Sequence, residues 1–360
     1  MSKVDRQFKT ILVTGGCGFI GSNFIRYLLE KTDFEGRILN LDCLTYAGNP
    51  LNLSDIDQLY GDNRYFFEQV DICDASEVER CFNQYAADAV VHFAAESHVD
   101  RSIEGPGAFI QTNIIGTYNL LQAAAGHWQG RDSCLFHHVS TDEVYGSLGE
   151  SGYFYEQTAY DPRSPYSASK ASSDHLVRSW AHTFDLPVTL SNCSNNYGAY
   201  QFPEKLIPVM ILNILEGKPL PVYGDGKNIR DWLYVDDHCS GIWSIMQRGR
   251  VGETYNIGGE NEWTNIDLVN RLCEIVAAKN GLSNQHYKGL INFVKDRPGH
   301  DRRYAINCDK IRNELDWSQS VSFTEGLEMT VSWYLNNLDW VKSVQSGEYR
   351  RWMDLNYAGR

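Results

Sequence analysis

A five-residue apolar run, Thr10 to Thr14, leads directly into Gly15-Gly16-Cys17-Gly18-Phe19-Ile20-Gly21, and a helical stretch from Ser22 to Leu29 follows. Strand, glycine triplet and helix in that order constrain the fold more than any other feature of the chain. Three glycines let the backbone turn sharply and come close to a pyrophosphate, while the helix N-terminus offers free N–H groups and partial positive charge. A glycine triplet alone also occurs in ordinary strand-to-helix turns. Context favours the dinucleotide reading, because Asp42 ends the next strand 21 residues beyond Gly21, where a carboxylate can accept hydrogen bonds from an adenosine ribose. A carboxylate there repels a 2′-phosphate, so the expected cofactor is NAD rather than NADP.

The rest of the first half supports that start. Apolar or β-branched runs at 10–14, 37–42, 65–71, 89–94 and 134–141 alternate with helical patterns such as Phe24, Ile25, Leu28 and Leu29. Strands apolar on both faces, separated by helices, predict an α/β fold with a doubly wound parallel sheet. Runs at 187–192 and 253–258 read as further strands of the same sheet. Texture changes at 195–233, rich in Pro, Gly and Asn, and again from Trp263 onward. The expected division is therefore a dinucleotide-binding domain over 1–194 plus 234–262, with a smaller mixed α/β substrate domain over 195–233 plus 263–360.

Charge and cysteine usage exclude several function classes. With 46 acidic residues against 32 Lys and Arg, the net charge is -14, which disfavours a nucleic-acid partner. Nine cysteines without a C-x-x-C pair read as reduced thiols, leave no zinc-ligand spacing and predict no bound metal. No run approaches the ~18 apolar residues of a membrane span, and no signal-peptide pattern stands at the start. A cytoplasmic protein without a membrane partner is expected.

The chemistry resides in two short segments. Ser164-Pro165 begins a helix as N-cap and first turn, which puts Tyr166 and Lys170, four apart, on one side of it. Lowering a phenol from a pKa of ~10 to ~7 takes about 4 kcal/mol, roughly what one cation ~4 Å away supplies at an effective dielectric of ~20. Y-x-x-x-K by itself is a common accident of a helix surface. The strand ending at Ser140-Thr141-Asp142-Glu143 should deliver its last residues into the crevice where parallel sheets bind ligands. The bland alternative there is a solvated capping pair. The parts nevertheless fit one reaction, in which Tyr166 takes a sugar hydroxyl proton as NAD+ takes the hydride. Glu143 then removes the acidified neighbouring proton, and a protonated Asp142 releases the β-hydroxyl as water.

With these residues in hand, the chain resembles the dTDP-glucose 4,6-dehydratases of the extended short-chain dehydrogenase/reductase family over essentially its full length. The matching segments include Gly15 to Ser22, Leu44 to Asn49, Ala94 to Ser102, Ser140 to Gly146, Tyr166 to Lys170, Asn192 to Gly198, Phe202 to Pro208 and Arg230 to Val235. The resemblance implies that Asp142 is the proton donor, Glu143 the base at C5 and Tyr166 the base at the 4-hydroxyl. Thr141 would bond the 4-oxygen, and Lys170 would hold the nicotinamide ribose and tune Tyr166. It implies NAD contacts at Gly15, Gly18, Phe19, Ile20, Gly21, Asp42, Cys43, Leu44, Thr45, Asp71, Ile72, Phe93, Ala94, Ala95, Ser97, Thr112, Tyr166, Lys170 and Asn196. Contacts to a nucleotide-diphosphate hexose are implied at Ser97, Thr141, Asn195, Glu204, Lys205, Leu206, Pro221, Tyr223, Arg230, Asn265, Arg297 and His300. Unaided, Arg230 and Arg297 suit a diphosphate fork, although such arginines are more often surface ion pairs. The resemblance also implies a homodimer through the helices Pro106 to Ala125 and Pro165 to Phe184.

Three departures from the family pattern stand out: a short linker from Gly146 to Ser164 near the site mouth, Ala199 in place of a usual Pro, and Cys43 in place of a frequent Lys. Adjacent His137 and His138 on a strand point to opposite faces and cannot share a metal, while His92 and His98 read as core or supporting residues. The rival readings are a UDP-sugar 4,6-dehydratase, a UDP-sugar epimerase or decarboxylase of the same fold, and a non-catalytic NAD-binding scaffold. The Asp142-Glu143 pair speaks against the epimerase, since epimerases of the superfamily carry small or hydroxyl residues there.

Overall fold

The computed structural model describes residues 5–131, 133–281, 283–296 and 299–345. Among these residues, the first six strands lie at Thr10–Thr14 (β1), Arg37–Asp42 (β2), Tyr65–Gln69 (β3), Ala89–His92 (β4), Leu135–Thr141 (β5) and Val188–Cys193 (β6). With Thr254–Ile257 (β10) they form one parallel sheet in the order β10-β6-β5-β4-β1-β2-β3. The order reverses at β1, which pairs with β2 on one side and β4 on the other, and this opens a crevice at the strands' C-terminal edge. Alternation along each strand buries both faces: Ile11 and Val13 join one apolar core, and Leu12 with Leu39 the other.

A second body of structure covers that edge. Asn195–Tyr197 (β7) and Glu262–Thr264 (β11) flank Ile229–Tyr234 (β9), and Leu220–Tyr223 (β8) pairs in parallel with Ile291–Val294 (β12). Helices Leu206–Glu216, Asn265–Asn280 and Phe323–Asn336 pack a separate core there, built from residues such as Ile211, Leu272 and Leu327. No helix among the described residues is long and apolar enough to cross a membrane.

The region 106–125, expected to be one helix, is interrupted. Pro106–Phe109 is α-helical, Ile110–Gly116 is a π-helix, and Thr117–His127 resumes the α form. A wider turn re-aims side chains. Here Asn113 turns inward, accepting from Glu96 N at 2.9 Å and donating to Ser169 Oγ at 2.8 Å. Gly116 lies where a Cβ would press on the Ile72 side chain, so the π-segment sits tight against the loop after β3.

Two long-range clasps hold the last third to the first two. Asp237, 2% exposed at the start of the helix Val235–Arg248, accepts from Ser320 N at 2.9 Å, Ser320 Oγ at 2.7 Å and Val321 N at 3.0 Å. Trp340 Nε1 donates to Asn52 Oδ1 at 2.7 Å, and Asn52 Nδ2 in turn donates to the Cys17 carbonyl at 2.9 Å. Asp237→Asn replaces one accepting oxygen by a donor and leaves a buried N–H unmet, so urea unfolding is expected to show a loss of about 1–3 kcal/mol. An unchanged midpoint would show that the clasp contributes nothing.

Candidate active site

Where β1 ends, Gly15 turns the chain with a φ of +69°, a conformation in which a side chain is strained. A Cβ at Gly15 would also meet Ala94 Cα and N at 2.8 Å, because the chain leaving β4, Phe93 to Ala95, runs beside the loop. At Gly21 a Cβ would fall on the Gly15 carbonyl oxygen, so the helix Phe19–Lys31 packs directly on the turn. Gly18 is its N-cap, with no side-chain cap bond and no acidic residue in the first turn, which leaves those N–H groups to an anionic ligand or water. Asp42 is buried and accepts from Cys17 N at 2.9 Å and Leu44 N at 2.8 Å, tying the glycine loop to the exit of β2. Burial raises its pKa, and the two N–H groups oppose the rise.

The other sequence-predicted cofactor residues gather along the same edge. Half-buried Phe19 and Ile20, Leu44, exposed Cys43 and Thr45, and exposed Asp71 beside buried Ile72 follow the ends of β1, β2 and β3. Half-buried Ala95 and Ser97 follow β4, and Thr112 lies on the π-segment. Asn196 spends its side chain inside the protein, donating to Ser194 O at 3.0 Å and pairing with His238 Nδ1 at 2.9 Å.

The chemical residues meet at the tip of β5. Ser164 and Ser167 form a reciprocal capping box with Pro165 in the first turn, and this starts the helix Pro165–Phe184. Tyr166 is thereby held against Thr141, Asp142 and Glu143, and Lys170 against the Val139 carbonyl of the same strand. Thr141 Oγ1 accepts from Glu143 N at 3.3 Å, lies 3.4 Å from Asp142 Oδ1 and hydrogen-bonds Tyr166. Asp142 is 2% exposed, and its Oδ2 has no partner among the described residues. Burial, then the charges of Glu143 and Asp231, hold its carboxyl well above the usual range, with Arg230 opposing. Tyr166 is also raised, first by burial and then by Glu143.

Lys170 therefore does not by itself set the phenol as the spacing suggested. Its ammonium, 4% exposed, donates to Val139 O at 2.9 Å, and burial lowers its pKa. The remaining Lys170 donors have no acceptor among the described residues. Such a spare buried cation, the glycine cradle and the uncapped helix end together fit a dinucleotide with ribose hydroxyls.

On the opposite side of the cleft stand the predicted substrate residues. Asn195 and Asn265 each present a buried Oδ1 without a partner among the described residues. Lys205 donates to Ser97 O at 2.9 Å, beside half-buried Leu206. Glu204, 4% exposed, accepts from Tyr46 Oη at 3.1 Å and Arg101 Nε at 3.3 Å. Buried Pro221 lies on β8 two residues before Tyr223, whose hydroxyl donates to Asp100 at 3.3 Å. Tyr223 also meets the His300 ring edge-on, with the centroids 6.1 Å apart. Arg230 is buried over the Tyr304 ring and donates to Asp301 O at 3.0 Å. Arg297 lies outside the described residues.

Four neighbours escaped the sequence reading: Asn113, Asp174, Asp231 and Tyr304. Tyr304 faces Glu143, whose charge adds to the rise that burial causes in its phenol. Of the four, Asp174 carried a signal, four residues beyond Lys170 on the same helix, and Asp231 stood in the matching segment from Arg230 to Val235 without a role assigned to it.

A family described as GDP-mannose 4,6 dehydratase matches residues 12–330. The chain belongs to this family. Among curated relatives, a dTDP-glucose 4,6-dehydratase of Salmonella typhimurium is 53% identical over 364 residues, covering 97% of this chain and 99% of its own. Among solved structures, the dTDP-glucose 4,6-dehydratase of Streptomyces venezuelae, with NAD and dTDP bound, superposes with a TM-score of 0.84 at 45% identity, covering 93% of this chain and 99% of that one. The family's architecture extends further, since a Thermotoga maritima UDP-glucose 4-epimerase reaches a TM-score of 0.81 at 29% identity over 91% of this chain and 99% of that one.

The Asp142 shift has a stability consequence. In the unfolded chain its carboxyl ionises above pH ~3.9, whereas the folded one keeps its proton to higher pH, so folding loses stability as pH rises through that window. Asp142→Asn is accordingly expected to melt above the parent at pH 8, by about 2–4 °C per kcal/mol relieved. The gap should close toward pH 4, which thermal unfolding at both pH values measures; a gap independent of pH would contradict the assignment.

Proposed function

We propose that the chain is an NAD-dependent 4,6-dehydratase converting dTDP-glucose to its 4-keto-6-deoxy form and water. The observation that carries the reading is Asp142, a buried carboxyl whose ionisation burial and Glu143 oppose, within the hydrogen-bonded group of Thr141 and Tyr166. The 53% identity to a dTDP-glucose 4,6-dehydratase supports the same substrate. Bound NAD+ supplies the hydride acceptor for C4, a positive charge in the site, and the same hydride returned to C6.

In this reading Tyr166 Oη receives the C4 hydroxyl proton. Because burial and Glu143 oppose its ionisation, it needs the Thr141 hydroxyl that bonds it, and the Lys170 ammonium one turn along the helix would add positive charge. The C4 ketone acidifies C5–H, and Glu143 removes that proton. Asp142 gives its own proton to the C6 hydroxyl, which leaves as water. Glu143 then returns a proton to C5 as C6 is reduced, so cofactor and Glu143 end as they began. Tyr166 is left with one proton more and Asp142 with one fewer, and transfer of that proton from Tyr166 to Asp142, directly or through solvent, resets the site. Gly15 to Gly21, Asp42 to Thr45, Ala94 and Lys170 would hold the cofactor. Asn195, Lys205, Arg230 and Asn265 would hold the sugar nucleotide, their unpartnered amide oxygens and cationic groups suiting hydroxyls and a diphosphate.

The reading extends to a two-part chain, with NAD on 1–194 plus 234–262 and the sugar nucleotide on the remainder, supported by the separate apolar core of the second part. It also includes a homodimer. Exposed Ile110, Ile115 and Tyr118 adjoin the helix Pro165–Phe184 through the Tyr118–Trp180 ring contact, and exposed Phe184 ends that helix. Nine free cysteines and the absence of a spanning helix among the described residues accord with a cytoplasmic setting.

Incubation with dTDP-glucose, UDP-glucose and GDP-mannose separately, without added NADH, is expected to remove one water from the dTDP sugar, read by mass. In heavy water the product should carry deuterium at C5. Unchanged mass with inverted C4 would instead favour an epimerase. Single-turnover measurement of Asp142→Asn should show water loss slowed by about 10²-fold or more, with the initial hydride step affected less.

A further inference from the structure

A charged group lies under the chemistry that the mechanism leaves unused. Asp174 is fully buried in the helix Pro165–Phe184, one turn beyond Lys170 on the same side. Three consecutive residues of β5 meet this pair. Val139 O accepts from Lys170 Nζ at 2.9 Å, while on the strand's other register His138 Nε2 stands 3.1 Å from Asp174 Oδ1 and Ser140 Oγ donates to Asp174 Oδ2 at 2.9 Å. A fourth contact comes from the short linker, where Tyr160 Oη donates to Asp174 Oδ2 at 2.8 Å and itself accepts from Arg178 Nη2 at 2.9 Å.

We propose that Asp174 is a positioning residue, the buried counter-ion that keeps Lys170 charged and in place beneath Tyr166, and that Tyr160 couples the 146–164 linker to it. The inference rests on the catalytic reading above. A buried ammonium without an opposite charge gives up its proton, and the groups facing Lys170 leave Asp174 to supply that charge. His138 is lowered to about 4 and His92 well below its ordinary value, mainly by burial, so both are neutral at pH 7. Cys193, on β6, is pushed up to about 12 by burial and stays a thiol. Asp174 itself is held below the usual carboxylate range despite burial, by His138, Lys170 and Tyr160. Arg178 and Tyr145 also face it, the first through Tyr160.

The test separates this role from the activity. In the ligand-free chain, the Lys170 13Cε resonance, assigned with Lys170→Arg, is titrated in the parent, Asp174→Asn and Ser140→Ala. Asp174→Asn should lower the Lys170 midpoint by about one pH unit or more. Ser140→Ala, which removes a hydrogen bond but keeps the charge, should leave it in place. Equal midpoints in the parent and Asp174→Asn overturn the proposal, as does an equal shift in Ser140→Ala. So does a neutral Lys170 at pH 7 in the parent, whether or not Asp174→Asn folds. In turnover, the alkaline limb of kcat should move down in Asp174→Asn by a similar amount, with the KM for the sugar nucleotide changing less than about threefold; an unmoved limb counts against the proposal. A parent that removes no water would tell against the function and leave the titration comparison standing.

Discussion

A carboxyl whose ionised form is disfavoured has to be shielded from water, and much of this molecule can be understood as the means of shielding Asp142. A parallel sheet buried on both faces carries β5 into the interior and ends it at a point where helices and the second body of structure close over the strand tip. Glu143 and Asp231 add negative charge around a carboxyl that burial already disfavours in its ionised form. In an exposed loop the same two adjacent acidic residues would both ionise and could only cap or solvate.

The dry setting that suits Asp142 is unfavourable to its neighbours. Removing water raises the Tyr166 phenol and lowers the Lys170 ammonium, so each moves away from the charged state that the proposed reaction would need. The fold answers with fixed polar groups: Thr141 beside the phenol and the Asp174 carboxylate below the amine. Several other groups are left waiting. Asp142 Oδ2, Asn195 Oδ1 and Asn265 Oδ1 are buried without partners among the described residues, a costly arrangement unless a ligand completes it.

How much of this could be read from the chain depends on how local the cause is. β1 and β2 begin and end at the residues their apolar runs mark, since a strand buried on both faces shows itself in its own letters. β3 and β4 stop two residues short, although Val70 N and Phe93 N still bond to the Asp42 and Thr14 carbonyls. The N-cap at Ser164 and the placing of Tyr166 and Lys170 on one side of a helix were equally local, although the reciprocal bond from Ser167 was not read. The π-helix over Ile110–Gly116 was not legible, because its cause lies elsewhere: Asn113 turns in to meet Glu96 and Ser169, which the fold alone brings there. Asp231 and Tyr304 were hidden for the same reason, and so was the actual environment of Lys170, which depends on a carbonyl of β5 rather than on Tyr166 four residues away.

The chain from Trp340 through Asn52 to the Cys17 carbonyl places a support of the glycine loop 288 residues downstream of Asn52. Translation at about 5–20 residues per second separates the two partners by roughly 15–60 s. A nascent chain thus presents its glycine turn well before it has that brace, so the turn reaches its mature surroundings long after its own residues have been joined.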